Sequence, residues 1–586
     1  MTGPVARLTI TGMKRACLLV LLCGLATAGD AAEPARPSTV RGWLYLSTNL
    51  LPDKQVKETL ALLERVAAEG YTGVVLADYK FMRWDDVPAS YVRNCRTIRD
   101  ACRRLKLELV AGVMPMGYSN SLLSRDPNLA EGLPVRDAPF NVTGGKLVPA
   151  DPAPLVNGGF ESFRGDRPTG WLFTDEPGRI SFIDPTVRQE GRVALRMQDV
   201  ARYEPEHRHA RVCQTLQLRP FAAYHVSVAV KTLDWQADDT RIAVIGANGA
   251  SLNFHTPAIE RTRDWTRLDI VFNTLDSRQV NLYLGTWAGQ TGTLWWDDVR
   301  LEPAGFMNIL RREGTPLRIT SEEGSTVYEE GRDFAVIRDP KLGMDPWAGD
   351  YTAWHEPPVA RVPDGSRLKE GQRVLASYYH AAIINDGQLT CCMSAPKVYE
   401  ILEWQVKQVR DALQPDGYMM MHDEIRTQGW DDSCARRNLT PARILADNVQ
   451  RCTAILHQAD PGKPLYVWSD MFDPNHNARK SGPYYLVKGD GPWYGSWEGL
   501  PPEVTIMNWQ MGPQTRRATL QHFANRGHHQ ILAGYYDGDP RMIADWLKDA
   551  AGIRGVEGAM YTTWRGNYTQ TKAFIDCLSP PAIHRN

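Results

Sequence analysis

Short apolar runs alternate with amphipathic stretches near both ends of this 586-residue chain, and no other feature constrains its fold as strongly. The amphipathic stretches carry apolar residues at helical spacing, as in residues 397–413. The apolar runs that we predict as strands are residues 43–47, 72–78, 107–113, 374–379, 418–423, 465–470, 504–509, 530–535 and 558–564. Alternating units of this kind predict an α/β fold built on a (β/α)8 TIM barrel. The barrel needs eight strands and the chain offers nine, so either residues 374–379 or residues 107–113 lie outside it.

The middle of the chain has a different pattern. Between residues 152 and 303 helical periodicity disappears, and turn-rich stretches separate short segments of alternating polarity, which is typical of a β-sandwich. The segment opens with Asn-Gly-Gly-Phe-Glu at residues 157–161, carries Trp171, and closes with a strand at residues 294–301. In these edges it resembles the jelly-roll carbohydrate-binding modules of the galactose-binding-like kind. The resemblance implies sugar binding, and a purely bracing role is the alternative.

These patterns divide the chain into five parts. The predicted parts are a secretory signal peptide at residues 1–32, the first part of the barrel at 33–150, the inserted sandwich at 151–305, hairpins that extend the insert at 306–372, and the second part of the barrel at 373–586. The last part carries most of the strand ends at which we expect chemistry.

The first residues have the composition of a secretory signal. Lys14 and Arg15 precede an apolar run at residues 16–25, and the small residues Ala28 and Ala32 follow it. The apolar run is too short to span a bilayer. We therefore predict a secreted or periplasmic protein without a membrane span, of undetermined oligomeric state.

Charge and cysteine spacing narrow the classes of ligand. The net charge is −1 and the charges are scattered, so no basic stripe is present to bind nucleic acid. Of ten cysteines, Cys17 and Cys23 lie in the signal, and the eight that remain form no Cys-x-x-Cys pair, which argues against a zinc site. We predict no cofactor and no active-site metal; a structural calcium ion in the sandwich is compatible with this prediction.

Carboxylates, indoles and phenols follow the predicted strands, where the catalytic residues of such barrels collect. The apolar run that begins at Tyr418 ends in the acid pair Asp423-Glu424, which suggests acid/base chemistry. Aromatic faces pack on the C–H faces of sugars and carboxylates bind their hydroxyls, so this mixture suits a carbohydrate pocket. The other candidates at strand ends are Asp78, His380, Trp468, Asp470, Trp509, Tyr536, Asp537 and Trp564. For His380 a structural role is the alternative.

From residue 417 onward the order of these strand ends resembles the family 20 glycoside hydrolases, the β-N-acetylhexosaminidases. The Asp-Glu pair is followed by Trp468 with Asp470, by Trp509, by Tyr536-Asp537 and by Trp564, and Arg41-Gly42 matches the start of the family's first strand. Two features depart from the family. Its two glycines before the acid pair are absent, and Ser47-Thr48-Asn49 replaces the acid at the end of its first strand. The resemblance is therefore that of a distant relative.

The resemblance implies a retaining hydrolase in which the 2-acetamido group of the substrate attacks the anomeric carbon. Glu424 would protonate the leaving oxygen and then activate water, Asp423 would orient the acetamido group, and Tyr536 would bind its carbonyl oxygen. Arg41 would bind sugar hydroxyls through its guanidinium fork. The loop residues Arg426 and Trp430 either close over the site or are ordinary surface residues. 

Two other functions stay open. One is a retaining glycosidase acting on a sugar without an acetamido group, in which Asp470 or Asp537 is the nucleophile and Glu424 the acid/base. The other is a glycan-binding protein without activity. The sequence does not identify the glycan or the linkage.

Overall fold

The structure is a computed structural model that describes residues 41–151, 153–535 and 537–578. The predicted signal peptide, residues 1–32, lies outside the described residues, so export stays a prediction. Among the residues described, no helix is long and apolar enough to cross a membrane.

A closed barrel of eight parallel strands stands at the centre of the described chain. In spatial order the strands are Arg41–Ser47, Gly73–Ala77, Glu108–Val113, Gly417–Met420, Leu465–Trp468, Thr505–Asn508, Gln530–Tyr535 and Val556–Thr562. The first strand closes the barrel by pairing with both the second and the last, with Leu44 opposite Val74 and Gly42 opposite Ala559. All eight carboxyl ends therefore meet at one rim.

Alternate side chains of these strands fill the barrel. In a strand successive side chains point to opposite faces, so residues two apart share the interior. The interior cluster consists of Trp43, Tyr45, Val75, Val110, Met419, Tyr466, Trp468, Met507, Ile531, Ala533 and Met560. The residues between them, such as Leu44 and Val74, pack outward against the helices in a separate apolar cluster. The barrel is thus filled with side chains except at the rim.

Helices surround the barrel, and residues at their ends account for where they start and stop. The longer ones are Asp53–Glu69, Ala89–Leu105, Pro396–Leu413, Pro441–Ala459, Arg516–Asn525, Met542–Asp549 and Thr571–Asp576. At the start of the helix Pro441–Ala459, the Thr440 hydroxyl accepts a hydrogen bond from the backbone amide of Arg443. Another ends at Gly70, whose φ of 104° is a conformation that costs glycine little.

The predicted fold class, an α/β chain on a (β/α)8 TIM barrel, is wrong. Strands predominate, helices make up only 23% of the structure, and a helix does not stand between each pair of strands. Within the described residues from Leu465–Trp468 to Thr505–Asn508, the helical elements are two 3₁₀ turns, Asp470–Phe472 and Ser496–Gly499. Pro474, Pro483 and Pro492 stand in this connection, and proline disrupts a helix because it lacks the N–H donor. The large β insert adds many strands and, in the described residues, only one short helix, Val200–Tyr203.

The insert folds as two antiparallel sheets, each of five strands in the described residues. One contains Arg263–Asn273, Ala223–Ala237, Gly289–Pro303, Ala194–Gln198 and Ser181–Asp184, and the other contains Ser251–Asn253, Thr240–Gly246, Gln279–Thr286, Ala210–Gln217 and Phe173–Thr174. Trp171 and Trp296 are buried with the apolar residues of both sheets in one core. A short hairpin, Phe163–Arg164 with Arg167–Pro168, lies at the start of the insert.

A separate sheet of six strands is also present in the described chain. Its strands, in spatial order, are Val327–Tyr328, Arg318–Ser321, Arg373–His380, Leu133–Thr143, Lys146–Pro149 and Ala360–Arg361. Arg373–His380 is therefore the surplus strand that the sequence left open, and Glu108–Val113 belongs to the barrel. Buried residues alternate with exposed or half-buried ones along Arg373–His380, as expected of an antiparallel strand and not of a barrel strand.

Candidate active site

A cavity of about 620 Å³ opens at the carboxyl rim of the barrel. Ser47, Ala77, Val113 and Trp468 line it, and each is the last residue of its strand. The other lining residues are Tyr45, Asp78, Tyr79, Gly112, Pro115, Tyr118, Ser121, Asn385, Gln405, Met421, Asp423, Glu424, Arg426, Trp509 and Trp564. A volume of this size accommodates one or two sugar residues, since small-molecule sites span roughly 300–1,000 Å³.

Both members of the acid pair line this cavity because the chain bends between them. Adjacent residues of a regular strand point to opposite faces. Glu424, however, has a φ of 49°, in the left-handed region that costs a non-glycine residue roughly 1–3 kcal/mol. Its amide donates to Oδ2 of Asp470 at 2.9 Å, which stabilises the bend. A strained residue at a cavity wall is a feature of functional sites.

Gly117 makes room for this bend. A Cβ atom at residue 117 would lie 1.5 Å from the carbonyl oxygen of Asp423, a distance that no side chain tolerates. The absence of a side chain therefore lets the loop after the third strand pass directly under the acid pair. That loop carries Tyr118, which contacts Glu424.

The Glu424 carboxylate has a partner at each oxygen. The Tyr118 hydroxyl donates to Oε2 at 2.6 Å, and Nη2 of Arg426 lies 2.7 Å from Oε1. Arg426 also donates to Tyr118 at 3.2 Å and to the side-chain oxygen of Gln388. The Gln388 amide in turn donates to the backbone oxygens of Gly117 and Glu424, at 2.8 Å each. Charge-assisted contacts of this kind fix the position of a carboxylate.

Asp423 and Asp470 have a different electrostatic environment. Burial, followed by the charges of Asp470 and Glu424, raises the pKa of Asp423 well above its usual range. Burial also raises the pKa of Asp470 to about 6, against the opposing effect of its hydrogen bond from the Glu424 amide. Asp470 also accepts from Trp509 Nε1 at 3.1 Å and from the Asn477 amide at 2.8 Å. The site thus combines an ion-paired carboxylate with two that bind protons more tightly than usual.

Aromatic rings form one wall of the cavity. The ring centroids of Tyr45 and Trp468 are 5.7 Å apart, those of Tyr45 and Trp564 are 5.4 Å apart, and those of Trp468 and Trp564 are 6.1 Å apart. Trp564 lines the cavity and is 54% exposed. Asp537 supports the Trp564 loop, because its carboxylate accepts the Trp564 amide at 2.9 Å and the Thr563 hydroxyl. A wall of this kind packs well on the C–H faces of a sugar.

The structure brings most of the predicted residues to this site. Asp78, Asp423, Glu424, Trp468, Trp509 and Trp564 line the cavity, and Asp470 lies beneath Glu424. The Asp78 carboxylate accepts the amides of Leu50 and Lys80, at 2.8 and 2.9 Å, and so organises the rim. Tyr536 lies outside the described residues.

Two predicted binding residues lie elsewhere. Arg41 begins the first strand and therefore lies at the opposite end of the barrel, 3.7 Å from Glu557 and 4.0 Å from Glu108. His380 ends a strand of the six-stranded sheet, and its Nε2 lies 3.0 Å from the side-chain nitrogen of Asn273. Burial lowers the pKa of His380 to about 4, so it is a neutral structural residue. The loop residue Trp430 is also structural, since it is buried and donates to the Leu486 oxygen at 2.7 Å.

Tyr45, Tyr118 and Gln388 contribute to the site and were not predicted from the sequence. Tyr45 lies inside a predicted strand, where an aromatic residue ordinarily belongs to the hydrophobic core and not to a binding site. Tyr118 and Gln388 lie in connections without periodicity, more than 30 residues from Glu424 in sequence, as their separations of 306 and 36 residues show. The Gly-Tyr pair after the third strand was the available signal for Tyr118.

No family model matches this sequence, and no curated protein matches it. Among solved structures, a family 16 carbohydrate-binding module is 16% identical over 21% of this chain and 86% of its own, with a TM-score of 0.18. The N-terminal cellulose-binding domain of a β-1,4-glucanase C from Cellulomonas fimi is 19% identical over 26% of this chain and 97% of its own, with a TM-score of 0.19. A rhamnosidase from Novosphingobium sp. PP1Y is 12% identical over 89% of this chain and 55% of its own, with a TM-score of 0.27.

The structural neighbours of this chain thus include carbohydrate-binding modules and a rhamnosidase. They do not show a relation to the family 20 hydrolases. TM-scores this low carry no inference about activity, which therefore rests on the geometry of the cavity.

Proposed function

We propose that the protein is a glycoside hydrolase and that the cavity at the carboxyl rim is its active site. One observation carries the proposal: Asp423 and Glu424 line one aromatic-walled cavity in unequal electrostatic environments. Glycoside hydrolysis needs one carboxyl that gives up a proton and one carboxylate that stabilises or attacks the anomeric carbon. Pairs of acids with diverging proton affinities are how enzymes obtain both forms at one pH.

The environments favour Asp423 as the general acid and Glu424 as the anion. This exchanges the roles that the sequence predicts. Burial and two neighbouring carboxylates raise the pKa of Asp423, whereas Arg426 and Tyr118 ion-pair with and donate to the Glu424 carboxylate. In the proposed reaction, the Asp423 proton passes to the glycosidic oxygen as the C–O bond breaks. Positive charge that develops on the sugar ring is stabilised by Glu424.

Two groups are candidates for the attack on the anomeric carbon. If Glu424 attacks, it forms a glycosyl ester that water then hydrolyses, with Asp423 taking the proton of that water. If the substrate has a 2-acetamido group, its carbonyl oxygen attacks in place of Glu424. The stereochemical outcome is retention in both cases. A pair of aryl glycosides that differ only in a 2-acetamido or 2-hydroxyl group distinguishes the two routes. Attack by Glu424 would hydrolyse both glycosides, whereas attack by the acetamido oxygen would hydrolyse only the 2-acetamido glycoside.

The aromatic wall gives the substrate class. Tyr45, Trp468 and Trp564 present adjacent rings, and Trp564 is accessible from solvent. Asp78, Asn385 and Gln405 supply polar atoms at other points of the lining. A ring with one apolar face and hydroxyl edges, such as a pyranose, fits this distribution.

The experiment is to incubate the purified protein with a panel of aryl glycosides and oligosaccharides and to measure the release of reducing sugar. The wild-type protein should hydrolyse a subset of the panel, and Glu424→Gln should lose this activity while keeping its thermal stability. Glu403→Gln is the matched control, because Glu403 is exposed on a helix and pairs with Lys407 at 2.5 Å. Binding of glycans without release of sugar would instead support a glycan-binding protein.

A further inference from the structure

Four buried side chains outside the cavity converge on one point. Glu131, Cys392, Asp431 and Cys434 are each at most 2% exposed, and one donor atom from each lies within 4.8 Å of the others. They come from three separate parts of the chain. Two thiols and two carboxylates at this spacing are a donor set typical of a metal site.

Three of the six donor–donor distances match those of a tetrahedral ion, and the other pairs lie within 4.8 Å. With Zn–S bonds of about 2.3 Å and Zn–O bonds of about 2.0–2.1 Å, a tetrahedron places its two sulfurs about 3.8 Å apart and each sulfur about 3.5–3.6 Å from an oxygen. The two Sγ atoms here are 3.7 Å apart. Cys392 Sγ is 3.5 Å from Oδ1 of Asp431, and Cys434 Sγ is 3.4 Å from Oε2 of Glu131.

The surrounding groups aim one oxygen of each carboxylate at the thiols. Oε1 of Glu131 accepts the amides of Gly429 and Trp430, at 2.8 and 2.9 Å, which leaves Oε2 beside Cys434. Oδ2 of Asp431 pairs with Arg312, which leaves Oδ1 beside Cys392. Outer hydrogen bonds that orient the ligands in this way are a regular part of metal sites.

The charges at this point also call for a cation. Two carboxylates are buried, and Arg312 lies against one of them, at Asp431. The second carboxylate, Glu131, accepts backbone amides but forms no ion pair in the described residues, and burying a carboxylate without a cation beside it costs several kcal/mol. A divalent ion that binds both carboxylates and both thiolates offsets this cost, and with Arg312 it leaves a net charge near −1.

We propose that Glu131, Cys392, Asp431 and Cys434 bind one divalent metal ion, zinc by the chemistry of the donors, in a closed structural site. Four protein ligands leave no open position for a substrate, so the role is structural. The proposal corrects the argument against zinc from cysteine spacing. The ligands are too far apart in sequence to form a short motif, apart from Asp431 and Cys434.

The site has a consequence for the cavity. Three of the chain segments that supply a partner of Glu424 also supply a metal ligand a few residues further along. Tyr118 precedes Glu131, Gln388 precedes Cys392, and Arg426 precedes Asp431 and Cys434. The metal ion would therefore fasten together the three segments that hold Glu424.

The alternative is a disulfide between Cys392 and Cys434. Their sulfurs are 3.7 Å apart, whereas a disulfide requires about 2.05 Å. A disulfide would also leave the Glu131 and Asp431 oxygens beside it without a cation. The experiment below distinguishes the two.

The test begins with the metal content of the purified full chain, measured by mass spectrometry after exhaustive dialysis. We expect one equivalent of zinc, and cobalt exchanged into the site should give the thiolate charge-transfer and intense visible bands of tetrahedral cobalt. Cys392→Ser and Cys434→Ser should each weaken zinc binding at least about tenfold. Cys102→Ser is the control, because Cys102 is a buried thiol on the helix Ala89–Leu105.

Two results would overturn the proposal, and neither depends on whether the variants fold. The first is a wild-type chain that contains no zinc and takes up neither zinc nor cobalt after reduction. The second is a peptide map of the native protein in which Cys392 and Cys434 are joined by a disulfide.

Discussion

Arg426 lies two residues beyond Glu424, and its Nη2 is 2.7 Å from the Glu424 carboxylate. The arginine side chain is 6% exposed and the glutamate side chain is 27% exposed, so the pair is partly shielded from water. The backbone of Glu424, the first residue of the pair, is left-handed, with a φ of 49°. Arg426 is thus a positioning residue for the proposed catalytic anion.

Arg426→Met should lower kcat by about 10²-fold, because Glu424 loses the charge that orients it. KM should change little, since Arg426 acts on substrate through Glu424. Arg426→Lys keeps the charge without the guanidinium fork and should recover part of the activity. Arg436→Met is the control: Arg436 is 58% exposed and pairs with Glu313. Equal loss of activity in both methionine variants would contradict a specific role for Arg426.

Tyr118→Phe removes the hydroxyl that donates to Glu424 at 2.6 Å. A hydrogen bond to a charged group contributes about 1.5–3 kcal/mol, so kcat/KM should fall roughly 10- to 100-fold. Tyr494→Phe is the control, because Tyr494 is similarly exposed and does not line the cavity in the described residues. Steady-state kinetics of both variants check this prediction, which fails if Tyr118→Phe behaves as the wild type.

Asp470 makes stability depend on pH. Its pKa is about 6 in the folded protein and near 3.8 in the unfolded chain, so folding favours its protonated form. The associated stability is fully present below about pH 4 and is lost as the pH rises through about 6, a difference of about 3 kcal/mol.

Thermal unfolding of Asp470→Asn checks this dependence. Asparagine does not ionise, so relative to the wild type the variant should gain stability between pH 4 and pH 7, whatever its constant cost in lost hydrogen bonds. Asp364→Asn, in an exposed turn, should show no such gain. A stability difference between Asp470→Asn and wild type that is independent of pH would contradict the raised pKa.

Trp564→Ala should weaken glycan binding roughly tenfold and lower the melting temperature only modestly. Trp564 is 54% exposed, so only part of its area contributes to folding, and it faces the cavity beside Tyr45. Trp347→Ala is the control, because Trp347 is 73% exposed and is not part of the cavity lining. Isothermal titration with a glycan from the panel measures the binding affinity of both variants. Equal affinities of Trp564→Ala and Trp347→Ala would contradict the prediction.

The sequence predicts the strands better than the fold class. The barrel strands follow from their apolar runs, because burial on both faces selects apolar residues throughout. A (β/α)8 barrel would place a helix between Leu465–Trp468 and Thr505–Asn508, but the helical elements of that described connection are only 3₁₀ turns, and its prolines and glycines oppose a longer helix. Arg373 and Ser377 interrupt the apolar residues of Arg373–His380, and this was the available sign that the strand is not in the barrel.

The candidate site follows from the sequence only where residues come directly after a strand. Asp423, Glu424, Trp468 and Trp564 were found in this way. Arg41 was misplaced because a family resemblance assigned its role, although a residue that begins a barrel strand lies at the opposite rim. Long-range contacts such as Tyr118 with Glu424, 306 residues apart, have no local pattern.

The most direct test compares Asp423→Asn and Glu424→Gln on two substrates, one with a poor leaving group and one with an activated aryl leaving group that departs without a proton. Asp423→Asn should lose about 10²–10⁴-fold on the poor leaving group and little on the activated one, as expected of a general acid. Glu424→Gln should lose activity on both. Full activity of either variant on the poor leaving group would contradict the proposed active site, and the reverse pattern would restore Glu424 as the acid.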